Sequence, residues 1–161
     1  MAEIGVDGRF SLVFVAVNTF FLLASQEEQV RCFASAAARL APGGVFVIEA
    51  HVPDSIAFRE QSLRVSRMTA DSVMLTASRF DAATQRMEAQ QVQIGREGVR
   101  LVPAVLRWAW PAELDLMARL AGLRLRQRWG GWRREPFDAT SRWHVSVYEL
   151  PDEKRSTSAR A

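Results

Sequence analysis

Cysteine and histidine are scarce in this chain: one cysteine and two histidines stand among 161 residues. A single cysteine excludes an internal disulfide, and no Cys/His spacing able to hold zinc occurs. Long apolar runs are missing too, none reaching the roughly 18 residues that mark a membrane-spanning helix. The start, MAEIGVDGR, has an acidic residue and turn formers where a secretory signal needs a basic start and an apolar stretch. Together these absences predict a cytoplasmic protein with no membrane partner. Charge of one sign is not in excess either. The net charge is +3 and the basic residues are mostly arginine, so the calculated pI of 9.9 overstates the basicity. A solvated basic surface accounts for it, and no nucleic-acid partner is expected.

What is present describes a globular α/β protein. Hydrophobic residues make up 48% and charged residues 24%, enough for one domain with a real core. The chain is organised around Phe10 to Val17, FSLVFVAV, which after Ser11 is apolar without alternation. Such a run predicts a central strand covered on both faces. Ser25 and Glu28 form a capping box, followed by apolar Val30, Phe33, Ala37 and Leu40 at helical spacing. Pro42-Gly43-Gly44 ends that helix, and Val45 to Ile48 is again a buried-strand run. Strand, helix of about 15 residues, turn and strand make a right-handed βαβ unit with parallel strands. Both strands then end in polar residues at one edge, Asn18 and Thr19 on the first, Glu49 and His51 on the second. In open α/β sheets that edge carries the ligand.

Further along, Pro53 to Gln61 predicts a short helix capped by Asp54 or Ser55. From about Leu63 the pattern alternates, and Val73–Phe80, Gln85–Ile94 and Val99–Trp110 suggest an antiparallel meander. Pro103 places its stretch on an edge or at a bulge. A helix beginning at Pro111 carries Leu114, Met117, Ala118 and Ala121 and is capped by Gly122. Strands are expected over Leu123–Trp129 and from about Trp143 to Leu150. The tail, 151–161, is charged and Ser-rich and is expected to be disordered.

FSLVFVAVNTFFLLASQEEQVRCFASAAARLAPGGVFVIEAHVP resembles the fourth strand, following helix and fifth strand of class I S-adenosylmethionine-dependent methyltransferases, the A-P-G-G-x-F-V-I-E turn most specifically. WPAELDLMARLAGLRLRQRW resembles the family's later helix and strand, and HVSVYE its antiparallel last strand. The resemblance covers roughly residues 8 to 150. It implies a partial Rossmann-like sheet, the second half of the family domain, with an antiparallel β insert over about 62–110. The family's glycine-rich turn and acidic ribose-holding residue have no counterpart upstream of residue 10. That departure implies a truncated or split domain, or a start assigned too late, with Phe10–Val17 as an open apolar edge. Self-association, a homodimer or an N-terminal complementing segment is then expected.

The resemblance implies S-adenosylmethionine as cofactor and methyl transfer to a small-molecule substrate. On it, Val17, Asn18, Thr19 and Leu23 are candidate cofactor-binding residues; Glu49, His51 and Trp108 are candidate substrate residues. Asn18 serves equally as a cap for a strand end, Leu23 as core, and His51 as an exposed loop residue. A histidine there could take a proton from a substrate oxygen or nitrogen. Trp108 and Trp110 alternate on a strand and share a face, as packing or as a lid. No catalytic residue is singled out, because the cofactor supplies the reactive group and the protein supplies alignment. Cys32 within a helix is a small buried hydrophobe, and His144 is structural. Arg124, Arg126, Arg128, Arg133 and Arg134 with Trp129 and Trp132 suit a solvated strand and loop, or else a nucleic-acid contact. A non-catalytic interaction module remains the alternative class.

Overall fold

The computed structural model describes residues 2–53 and 61–151. The expected helix over Pro53–Gln61 and the tail 152–161 fall outside them, apart from their flanking residues. Two compact units emerge, one from 1–52 with 110–161, the other from 53–109.

The first unit is an α/β layer. Its strands are β1 (Phe10–Val15), β2 (Leu40–His51), β7 (Arg124–Trp129) and β8 (Trp143–Glu149), in the order β1-β2-β8-β7. β1 and β2 are parallel, while β8 inserts antiparallel between β2 and β7. Between β1 and β2 runs helix α1 (Gln26–Arg39), where the Ser25 hydroxyl accepts a hydrogen bond from the Glu28 amide at 3.2 Å, as the capping box predicts. Helix α2 (Pro111–Leu120) opens on Pro111 and closes at Gly122, whose φ of 75° needs a glycine.

One aromatic cluster holds this unit. Phe33 of α1 meets Phe20, Phe46 and Tyr148 edge-to-face, with centroids 5.3 to 5.6 Å apart. Phe33 and Leu40 of the expected stripe are buried, with Gln29 and Ala36 in place of Val30 and Ala37. Gln29 rather than Val30 is buried, its amide donating to the Leu23 carbonyl at 3.2 Å. That bond removes the cost of an unpaired buried amide, so a polar residue occupies an apolar position.

β1 is not covered on both faces as its apolar run suggested, but stands as the open edge that the resemblance implied. Its pairing is with β2 alone among the described strands, and Leu12 and Phe14 are 52% and 62% exposed. The unbroken apolar run therefore sits on an edge with one face open.

The second unit is a four-stranded antiparallel meander of β3 (Gln61–Met68), β4 (Ser72–Asp81), β5 (Arg86–Gly95) and β6 (Gly98–Arg107), in that order. Pro103 lies on the edge strand β6, where a missing amide costs no ladder bond. β3 was not among the expected strands, although the alternation from about Leu63 runs through it. The structure also corrects Trp108 and Trp110. Neither is in a strand: β6 ends at Arg107, and Trp110 caps α2.

Candidate functional site at the ends of β1 and β2

The chain leaves β1 through two residues in the left-handed region, Val17 at φ 55° and Asn18 at φ 61°. Asparagine tolerates that conformation; valine does so at a cost of about 1–3 kcal/mol. The turn is held across to β2. The Val17 amide donates to Glu49 Oε2 at 2.8 Å, and the His51 amide donates to Asn18 Oδ1 at 2.9 Å. The two strand ends are thus clasped by one side chain from each. The side chains of Asn18 and Glu49 spend an oxygen each on backbone, as the capping reading predicts, and this fixes their positions.

Thr19 turns back, its hydroxyl donating to the Ala16 carbonyl at 2.6 Å, and begins the short helical turn Thr19–Leu22. Leu23 is only 4% exposed. Thr19 and Leu23 line a cavity of about 170 Å³ together with Val13, Val15 and Phe20. On β2, the His51 ring packs edge-to-face on Trp143, centroids 5.0 Å apart. Glu49 and His51 lie on the sheet face opposite Ala50, since neighbours on a strand alternate. The structure therefore brings together Val17, Asn18, Thr19, Glu49 and His51 at one edge, with Leu23 beneath. Trp108 belongs to the meander unit, its amide bonded to the Gln85 carbonyl at 2.9 Å.

Next to this edge lies a polar network that sequence inspection left unassembled. His144, Ser146 and Tyr148 share one face of β8, and His144 and Ser146 are fully buried. Arg128 Nε donates to Ser146 Oγ at 2.8 Å, and the same hydroxyl is hydrogen-bonded to His144 Nδ1, also at 2.8 Å. Burial, with Arg128 nearby, holds this imidazole down at about 4, so it is neutral. Arg128 grips Asp115 through both carboxylate oxygens, at 2.6 and 3.2 Å, and the Tyr148 hydroxyl donates to Asp115 at 2.9 Å. Burial and Asp115 raise the phenol well above its ordinary range. The alternation H-V-S-V-Y signals a polar row on β8, but Asp115, on a helix beside apolar neighbours, gives no such sign.

The arginine cluster resolves into pairs. Arg124 and Arg126 both reach Glu149, at 2.6 and 3.3 Å, and Arg134 stacks on Trp129 at 5.1 Å. With the Arg128–Asp115 pair, these contacts engage four of the five arginines of the cluster. Burial pushes the thiol of the half-buried Cys32 up to about 11, the behaviour of an unreactive residue. No metal-binding cluster of His, Cys, Asp and Glu occurs among the described residues, and no helix of theirs is long and apolar enough to cross a membrane.

Comparison with known proteins places this fold. The CcbJ methyltransferase from Streptomyces caelestis superposes with a TM-score of 0.86 at 39% identity over 94% of the chain. Cypemycin N-terminal methyltransferase from a Streptomyces species is 28% identical over 151 residues, 91% of the chain. The chain is a relative of S-adenosylmethionine-dependent methyltransferases. It spans 61% of the length of each of those two proteins. A methyltransferase from Clostridium acetobutylicum, at 9% identity and a TM-score of 0.80, shares the fold. Other neighbours include the amino pentose methyltransferase CalS10 from Micromonospora echinaspora, solved with S-adenosylmethionine bound, at 22% identity and a TM-score of 0.61. No family model matches the chain. The parallel β1–β2 pair and the antiparallel β8 beside it are the features that the sequence resemblance implied.

Proposed function

We propose that this chain is part of an S-adenosylmethionine-dependent methyltransferase of the cytoplasm that acts on a small-molecule acceptor. The observation that carries the reading is the clasp of Val17, Asn18, Glu49 and His51 at the carboxyl ends of two parallel strands. Val17, Asn18, Thr19 and Leu23 form the cofactor wall; Glu49 and His51 serve the acceptor. Some neighbours are named as N-methyltransferases, which favours a nitrogen acceptor here as well.

The described residues fit one wall of a cofactor site and not a whole one. The cavity beside Thr19 and Leu23 is about 170 Å³. Ligand sites usually measure about 300–1,000 Å³. When bound, the cofactor supplies an electrophilic methyl group on sulfur. The residues of this chain have the other tasks, which are to orient, to exclude water and to accept a proton from an acceptor nitrogen. Orientation alone can be worth about 7–11 kcal/mol of barrier. The left-handed turn serves it because the Asn18 and Glu49 side chains hold the turn still.

A second reading has its own support. β1 exposes Leu12 and Phe14, and Val17 in the turn after it is 79% exposed. An apolar parallel edge of this kind suits pairing with a further strand, so the chain also fits one half of a split methyltransferase, or a non-catalytic module built around that edge. Calorimetric titration with S-adenosylhomocysteine separates the readings. Binding weakened at least tenfold by Asn18→Ala supports the cofactor wall; binding indifferent to Asn18→Ala removes it.

A further inference from the structure

The meander unit holds an excess of positive charge. Over 61–107 it has seven arginines and four carboxylates, an excess equal to the net charge of +3 of the whole chain. Two of the carboxylates are spent on arginines, Glu88 on Arg79 and Asp71 on Arg96 at 2.8 Å. Asp81 accepts from the Thr84 hydroxyl and the Ala83 amide within its own turn. Arg64, Arg67 and Arg100 have no ion pair among the described residues.

Register gathers these three on one face. Arg67, Met74, Gln93 and Arg100 form one row across the four strands, and Arg64, Thr76, Gln91 and Val102 form the next. Arg64 and Arg67 are three positions apart, a spacing that puts strand residues on opposite faces. The bulge at Val65/Arg67 adds Ser66 to β3 and so turns Arg67 to the side of Arg64. The Ser66 hydroxyl is hydrogen-bonded to that of Thr76, which fixes the extra residue. All three arginines are exposed, as are Gln91 and Gln93. Neither row holds a carboxylate or an aromatic residue.

We propose that this face docks an acidic helix of a partner protein. Spacing is the first reason. Arg67 and Arg100 stand three strand separations apart, roughly 14 Å, and the Arg64 row is roughly 7 Å further along the strands. Cations so spread do not converge on one phosphate-sized anion. Helix carboxylates at i, i+4, i+7 and i+11 lie on one side over roughly 16 Å, which matches the row from Arg67 to Arg100. Composition is the second reason. Arginine takes a carboxylate through two parallel bonds and is the cation enriched at protein interfaces. Without an aromatic the face has no stacking platform for single-stranded nucleic acid. Three cations also fall short of the about four to eight that mark an anionic-lipid site.

The test is fluorescence anisotropy of a labelled alanine–glutamate helical peptide, with carboxylates at i, i+4, i+7 and i+11, titrated with the full 161-residue chain. The expected binding is at least about tenfold tighter than that of a scrambled peptide whose carboxylates encircle the helix. It weakens as salt rises from about 50 to 200 mM, as exposed charge pairs require. Arg64→Gln with Arg67→Gln and Arg100→Gln weakens it at least about tenfold, with the far-ultraviolet dichroism unchanged. Arg31→Gln with Arg119→Gln and Arg133→Gln removes the same charge from exposed positions of the first unit and leaves binding intact. Equal losses in the two triple variants overturn the proposal, because net charge alone then accounts for the binding. Absence of binding, or an affinity indifferent to salt or to the scramble, overturns it as well. Tighter binding to duplex DNA or to phosphatidylserine vesicles, lost in the first triple variant, overturns it in favour of those partners. If that variant loses its dichroism, Arg64→Gln alone reads the same face from one exposed position, and an undiminished affinity there overturns the proposal.

Discussion

Asp115→Ala is the most informative single perturbation of the first unit. Asp115 receives both guanidinium nitrogens of Arg128, and the Tyr148 hydroxyl at 2.9 Å. Arg128 is well shielded, its side chain 12% exposed against 23% for Asp115. Removing the carboxylate leaves a shielded cation with one fewer partner and a buried phenol with no acceptor in this network. Breaking a buried pair from one side costs about 3–5 kcal/mol. The partial exposure of Asp115 puts the expectation at the lower end, about 3 kcal/mol. Urea m-values of about 1–3 kcal/mol/M turn this into a midpoint shift of roughly 1–3 M. Tryptophan fluorescence reports it, since Trp129 is the next residue after Arg128. Replacing both partners by apolar residues of similar shape, Asp115→Leu with Arg128→Met, should recover most of the loss. A loss below about 1 kcal/mol for Asp115→Ala, or a double variant as unstable as the sum of the singles, would refute the claim that this pair anchors α2 to β7 and β8.

Three further outcomes follow from the same geometry. The His144 imidazole is held at about 4 when folded, while the unfolded chain takes up a proton near the ordinary 6.5. Between those values the unfolded state binds more protons, so stability falls as pH drops from about 6.5 to 4, by roughly 3 kcal/mol in all. His144→Gln should flatten that part of the pH profile, and an unchanged slope would contradict the assignment. Gly44→Ala should cost about 1–3 kcal/mol, because a Cβ would stand 2.7 Å from the Phe10 carbonyl and 2.9 Å from that of Ala41. A melting point within a degree or so of wild type would mean that the β1–β2 bulge relaxes. Phe14→Lys on the open edge should reduce heat-induced aggregation without lowering the melting point. If aggregation is unaltered, the edge is not its source.

Local chemistry made much of the first unit legible. The capping box, the proline at the start of α2, Gly122 after it and the polar ends of β1 and β2 each have a short-range cause, and each is in place. The apolar run of β1 reads the same whether neighbours cover it or not, so its open edge was expected only from the resemblance. Gln29 was missed for a related reason, since its partner carbonyl belongs to a preceding turn. In the meander, β3 is too polar on one face and too interrupted by its bulge at Val65/Arg67 to stand out. The tryptophans misled because strand alternation ran on past Arg107 into a loop. At the site, the convergence of Asn18, Glu49 and His51 was readable from strand ends alone. The bonds that lock it depend on left-handed backbone at Val17, a residue whose type gives no hint of it. The network from Asp115 to His144 spans α2, β7 and β8 and is invisible to spacing within any one of them.

The central claim is that the ends of β1 and β2 form a cofactor wall. Its most direct test is calorimetric titration of S-adenosylhomocysteine into the chain, alone and extended by whatever is encoded immediately upstream. The account predicts binding in at least one form, weakened at least tenfold by Asn18→Ala and preserved by Asn18→Asp, which keeps the acceptor for the His51 amide. Absence of binding in both forms, or binding that ignores Asn18, would contradict it.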